Sequence, residues 1–114
     1  MLNVFTYWGQ GIDNIPPFYK IIYKHNLKIS NIFNLDFIIL DDDNLNNYIT
    51  INDDFLNLDY KSKSSLLRYY ILDKYGGFWF DIDIIIIKNL NNLISSVKCM
   101  IDLLNQNEYT FYSI

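Results

Sequence analysis

Cysteine is nearly missing from this 114-residue chain, which carries one thiol, Cys99. A single thiol excludes an internal disulfide framework and any multi-cysteine metal cluster, and it fits a reducing compartment. Alanine is absent and Arg68 is the only arginine. Isoleucine, asparagine, tyrosine and lysine are abundant instead, a skew typical of AT-rich coding sequence rather than of chemistry. Asparagine clusters such as Asn91-Asn92 are therefore discounted as surface composition. Positive charge is in deficit too: 9 Lys and Arg against 13 Asp and Glu give a formal net charge of -4. That balance argues against a nucleic-acid partner, which would call for a basic patch. No apolar run approaches the roughly 18–20 residues that span a bilayer. The opening MLNVFTYWGQG lacks the basic start of a secretory signal.

What is present is core material. Hydrophobic residues make up 51% of the chain and aromatics 18%, while charged residues are held to 19%, enough for one folded domain over residues 1–114. Residues 2–7 form an apolar, β-branched and aromatic run that predicts a buried strand, broken at Gly9 and Gly11. Asn14-Ile15-Pro16-Pro17 predicts a turn into a helix over 17 to about 25. There Phe18, Ile21 and Ile22 share one side and Lys20 and Lys24 point outward. Residues 37–40 predict a second strand ending in Asp41-Asp42-Asp43, a solvated turn with Asp43 as helix cap. Residues 45–49 predict a short helix or turn.

The clearest helix is predicted over about 62–75. Ser62, Ser64 or Ser65 would cap it, Leu67, Tyr70, Ile71 and Tyr75 would form its core stripe, and Gly76-Gly77 would stop it. Phe78-Trp79-Phe80 then predicts a strand running into Asp81-Ile82-Asp83, with 84–87 continuing as a fully apolar strand. Residues 90–93 read as a turn, and 99–104 and 109–114 as two further strands. Strands alternating with helices predict an α/β architecture with a largely parallel sheet.

The chemistry concentrates in SSLLRYYILDKYGGFWFDIDIII, residues 64–86. Two aspartates two residues apart, set between apolar segments, can converge at a strand end. Converging carboxylates repel each other, and burial raises the cost. A hard divalent cation such as Mg²⁺ or Mn²⁺ resolves that conflict and leaves coordination positions for phosphate and water. The plain alternative is a polar turn with two solvated aspartates. Ser65 and Arg68 lie one helical turn apart and so share a face. A guanidinium there suits a phosphate or a sugar hydroxyl, or it is simply a surface arginine.

These residues resemble the glycosyltransferases with a DXD sugar-binding region, among them capsular polysaccharide synthesis proteins, fungal mannosyltransferases and clostridial toxin glucosyltransferase domains. The helix, Gly76-Gly77 and Asp81-x-Asp83 match the signature; FTYWGQGIDNIPPFYKIIYKHN and FIILDDDNLNNYI match the opening and second-strand patterns in order, over roughly residues 3–90. The resemblance implies a GT-A, Rossmann-like fold and metal-dependent transfer of a sugar from a UDP- or GDP-sugar, with retention, to a glycan or protein acceptor. Carried over by position, Trp8 would line the base pocket and Arg68 would contact donor sugar or phosphates. Asp81 would bind ribose and sugar hydroxyls, and Asp83 would ligate Mn²⁺ or Mg²⁺. The family pattern reads Ser-Asp-x-x-Arg, whereas this chain has Ser65 at the Asp position, a neutral hydroxyl in place of a carboxylate. Only 31 residues follow Asp83, so the expectation is an N-terminal, donor-binding half whose acceptor site a second chain would complete. The implied location is cytoplasmic, in a bacterium or a virus-infected host.

Two rivals remain beside it. A haloacid-dehalogenase-type phosphatase also places Asp-x-Asp after an apolar strand, but it expects Thr or Val where this chain has Ile85. The other rival is a nucleotide-sugar-binding module without turnover. His25 reads as a helix-end cation or surface residue rather than a ligand.

Overall fold

The computed structural model describes residues 2–92; the expected strands over 99–104 and 109–114, with Cys99, lie outside the described residues. Strand β1 (Leu2–Tyr7) occupies the predicted bounds, because its apolar run meets Trp8-Gly9 and can extend no further. Helix α1 (Pro17–Ile32) starts at a proline whose missing N–H costs nothing in the first turn. It continues well past His25, since nothing before Asn34 breaks it. Asn34 then adopts φ 56°, the left-handed conformation that ends helices, and β2 (Leu35–Leu40) follows at once.

A short 3-10 turn (Leu45–Asn47) and the one-turn helix α2 (Asp53–Leu56) lead to α3 (Tyr60–Tyr75). The cap of α3 is Asp59, whose carboxylate accepts from the Ser62 backbone N–H at 2.7 Å, not one of the serines. Gly76 and Gly77 both take positive φ, and a Cβ on Gly77 would collide with the Asn3 carbonyl. Glycine is what lets α3 drop back against β1. Strand β3 (Phe78–Trp79) follows. Residues 84–87 do not form the expected strand, and a helical turn begins at Leu90.

The three strands are all parallel, in the order β2-β1-β3, an α/β arrangement compatible with a Rossmann-like fold. Alternation along β1 sends Val4 to one face and Phe5 and Tyr7 to the other. On the first face Val4, Leu35, Phe78 and Ile86 form a core with Ile29 of α1 and Phe33, the residue that caps its end. On the second, Phe5, Tyr7, Leu40, Leu45 and Phe55 pack with Leu67 and Ile71 of α3.

The buried faces of both helices differ from expectation. In α1 they are Ile22, Asn26 and Ser30, at i, i+4 and i+8, while Phe18 and Ile21 are each 69% exposed. In α3 the row is Lys63, Leu67 and Ile71, with Tyr70 half exposed. Tyr75 is exposed as well, although its ring meets Phe5 and Tyr48 at 6.0 Å.

Candidate functional site

In a parallel sheet ordered β2-β1-β3, the chain passes to one side of β1 after α1 and to the other after α3. The order reverses between β1 and β3, and open α/β sheets bind ligands outside the carboxyl ends of the strands at that reversal. The pairing Phe5↔Trp79, extended by the Phe80 N–H donating to the Phe5 carbonyl at 2.8 Å, carries Asp81 to the level of Tyr7-Trp8. Trp8 and the Asp81-x-Asp83 segment therefore leave adjacent strands at one edge.

Trp8 is anchored through its backbone, donating to the Leu40 carbonyl at 2.9 Å and accepting from Gly11 at 3.1 Å. Its indole meets Tyr19 edge-on at 6.0 Å. The indole Nε1 is buried and lacks a partner among the described residues. Asp81 and Asp83 sit in a turn closed by the Ile84 N–H donating to the Asp81 carbonyl at 3.1 Å. Both are exposed, and among the described residues no lysine or arginine pairs with either.

The segment leaving that turn is fastened by α1. Asn26, 2% exposed, donates from Nδ2 to the Ile84 carbonyl at 2.7 Å and accepts at Oδ1 from the Ile86 N–H at 2.9 Å. His25 Nε2 lies 3.0 Å from the Ile86 carbonyl; a carbonyl only accepts, so Nε2 carries the proton.

A second polar cluster joins the carboxyl ends of β1 and β2 to the start of α3. Asp42 accepts from the Tyr7 hydroxyl at 2.6 Å and from Lys63 Nζ at 2.8 Å, and its backbone N–H donates to the Gly9 carbonyl at 3.2 Å. Lys63 is 5% exposed and lies 5.0 Å from the Tyr60 ring centroid. Burial pushes the Tyr7 hydroxyl pKa up strongly, and the hydrogen bond to Asp42 with that carboxylate's charge adds to the rise. Asp41, not Asp43, organises the acidic turn, accepting from the Asp43 and Asn44 N–H groups at 2.9 and 2.8 Å.

Arg68 is exposed on α3 and forms no ion pair among the described residues. Ser65, also exposed, donates its hydroxyl back to the Lys61 carbonyl at 3.2 Å. Among the described residues neither is hydrogen-bonded or ion-paired to Asp81, Asp83 or Trp8. Nor does any group of three or more His, Cys, Asp or Glu side chains converge there, so the aspartate pair supplies two carboxylates and no more.

Over residues 1–113 the chain matches the family described as capsular polysaccharide synthesis protein. It belongs to that family. It is also similar to an uncharacterized glycosyltransferase of Acanthamoeba polyphaga mimivirus, 31% identical over 94 residues. That alignment takes in 76% of this chain and 37% of the relative, so the chain spans well under half of the relative's length. No solved structure matches. No helix among the described residues is long and apolar enough to cross a membrane.

Within this family member a groove of about 480 Å³ lies apart from the carboxyl edge, lined by Ile49, Ile51, Phe55, Leu58, Leu66 and Tyr70 among others. At about 100° per residue, Leu66 and Arg68 flank the buried Leu67 on opposite sides, so the groove opens away from Arg68. The sequence alone does not single out Asn26 or Lys63; it puts Asp42 in a solvated turn and His25 at a helix end or the surface, where His25 is indeed exposed while reaching the Ile86 carbonyl. A signal exists for the first two: Asn26 stands four residues after Ile22, and Lys63 four before Leu67, each on a buried row.

Proposed function

We propose that this chain is the donor-binding part of a metal-dependent glycosyltransferase of the GT-A type, taking a UDP- or GDP-sugar. The observation that supports it most is the juxtaposition of Trp8 with Asp81 and Asp83, two carboxylates without an ion pair among the described residues, at the switch-point edge of a parallel sheet. The donor set fits Mg²⁺ or Mn²⁺: both carboxylates offer hard oxygens, and with only these two among the described residues, positions are left for diphosphate oxygens and water. Such a cation would offset the charge gathering on the departing nucleoside diphosphate.

Each residue then has a task. Trp8, half-buried at the strand end, offers an aromatic face to the base. Asp81 accepts from ribose and sugar hydroxyls, and Asp83 supplies the carboxylate nearest the diphosphate. Arg68 approaches phosphate or sugar from α3, with no ion pair of its own to give up among the described residues. In a retaining transfer the acceptor hydroxyl attacks the anomeric carbon on the leaving-group side. The bond to the diphosphate breaks as the glycosidic bond forms, and the hydroxyl proton passes to the departing phosphate oxygen. No side-chain nucleophile is needed. The acceptor, a glycan or a protein, would be held by parts of the enzyme beyond this donor edge, on a second chain or a further segment.

Thermal shift with UDP- and GDP-sugars, with and without Mn²⁺, tests the binding. A rise in Tm that requires both donor and metal is the expected result; no donor raising Tm with metal present contradicts it. A second reading, a nucleotide-sugar-binding module without turnover, is favoured by Ser65, whose hydroxyl is turned into its own helix where the family has a carboxylate. Donor binding without hydrolysis or transfer would select it, and Ser65→Asp should then tighten donor binding.

A further inference from the structure

The aspartate turn is short of support of its own. Its entry is fixed by one strand bond, Phe80 N–H to the Phe5 carbonyl, and its interior by one turn bond, Ile84 N–H to the Asp81 carbonyl. Beyond it, residues 84–87 have no strand partner among the described residues, and Ile84, Ile85 and Ile87 are exposed. A free segment of that kind would let the turn drift. Asn26 removes the freedom. Its single amide engages the Ile84 carbonyl and the Ile86 N–H together, the pair of bonds a neighbouring strand would make, and His25 takes the Ile86 carbonyl.

We infer that Asn26 is a positioning residue for Asp81 and Asp83: it acts from helix α1 to hold the exit of their turn and so sets where the two carboxylates meet a divalent cation and a nucleoside diphosphate. The inference rests on the donor-site reading above. Burial explains its strength. Asn26 and Ile86 are each 2% exposed, so losing the amide would orphan a buried N–H as well as release the turn. The geometry is also particular to asparagine. Aspartate keeps the acceptor for Ile86 but loses the donor to Ile84, and leucine, of similar shape, loses both.

The experiment compares the unsubstituted chain with Asn26→Leu, Asn26→Asp and Ile71→Ala. The last is a cavity in the opposite layer that lowers stability without touching α1 or the turn. Two properties are measured: amide hydrogen exchange across 81–86 in metal-free protein, and Mn²⁺ affinity with UDP present, by electron paramagnetic resonance. Asn26→Leu should speed exchange at Ile84 and Ile86, beyond any rise shared by the whole protein. It should also weaken Mn²⁺ binding by roughly tenfold or more, as expected for losing two hydrogen bonds. Asn26→Asp should show a smaller change in the same direction, and it carries the test should the leucine variant not fold. Ile71→Ala should leave Mn²⁺ affinity at the level of the unsubstituted chain and should speed exchange across 81–86 by no more than the rise shared by the whole protein. If the chain binds Mn²⁺ with UDP and the folded Asn26 variants bind equally well, the positioning role is overturned and the donor-site reading stands. If the unsubstituted chain itself binds no Mn²⁺ with UDP, both fall.

Discussion

Lys63 Nζ lies 2.8 Å from Asp42 Oδ2, an ion pair in which the lysine side chain is 6% exposed and the aspartate 25%. It ties the start of α3 to the acidic turn after β2, and through the second oxygen of Asp42 to the Tyr7 hydroxyl at the end of β1. Removing one partner of a fully buried pair costs about 3–5 kcal/mol. Asp42 keeps Tyr7 and some solvent, so Lys63→Met should cost less, roughly 1–3 kcal/mol in urea denaturation. A double-mutant cycle with Asp42→Asn should show a coupling above about 0.5 kcal/mol. Simple additivity would mean the pair is not made in solution.

Tyr7 gives the fold an alkaline limit. Its hydroxyl pKa is raised in the folded state, so the neutral form is favoured there. The sign follows: the stabilisation is complete below the ordinary tyrosine value of about 10 and is lost as pH rises beyond it. The Tm should fall steeply above that pH. Tyr7→Phe should be less stable at neutral pH, through loss of the Asp42 bond, and flatter on the alkaline side.

Asp59 sets an acid limit of the opposite sign. The Ser62 backbone N–H, and secondarily its side chain, hold the Asp59 carboxyl below the usual carboxylate range. Its contribution is present above the unfolded value of about 3.9 and disappears as pH falls through the lower folded one. Asp59→Ala should lower Tm at pH 7, and the gap to the unsubstituted chain should close in strong acid.

The glycine pair after α3 separates conformation from space. At Gly76, φ 68°, a side-chain methyl would meet nothing within 4 Å, whereas at Gly77, φ 96°, it would run into the Asn3 carbonyl. Gly76→Ala should cost about 1–3 kcal/mol for the backbone alone, since φ 68° with ψ −171° is a conformation almost reserved for glycine. Gly77→Ala should cost clearly more, because backbone must also move. Equal costs in urea denaturation would contradict the close approach of this loop to β1.

How much of the molecule is legible in the sequence depends on what each residue's neighbours are. The bounds of β1 are readable because an apolar run ends at a glycine. The end of α1 is not, since Asn34 stops the helix through a backbone conformation that composition does not announce. The apolar stretch 84–87 reads as a strand, but only Ile86 is buried and side-chain groups from α1 replace the missing strand. Spacing assigns Tyr70 to the core, yet Lys63 occupies that row because Asp42 can neutralise it. Discounting asparagine as composition hides Asn26. Asp81 and Asp83 are singled out by their spacing after an apolar strand and Trp8 only by the family resemblance; parallel strand order brings the three to one edge. Ser65 and Arg68 are legible as neighbours on α3, and among the described residues no hydrogen bond or ion pair ties them to that edge.

In the proposed function, the carboxyl edge of β1 and β3 would bind a nucleotide-sugar together with a divalent cation. Isothermal titration of UDP- and GDP-sugars in the presence of Mn²⁺, against the chain and against Asp83→Asn, tests it most directly. One donor should bind with metal and lose at least about tenfold in affinity (roughly 1.4 kcal/mol) when Asp83 loses its charge. Donor binding that is indifferent both to Mn²⁺ and to Asp83→Asn, or no binding at all, would contradict it.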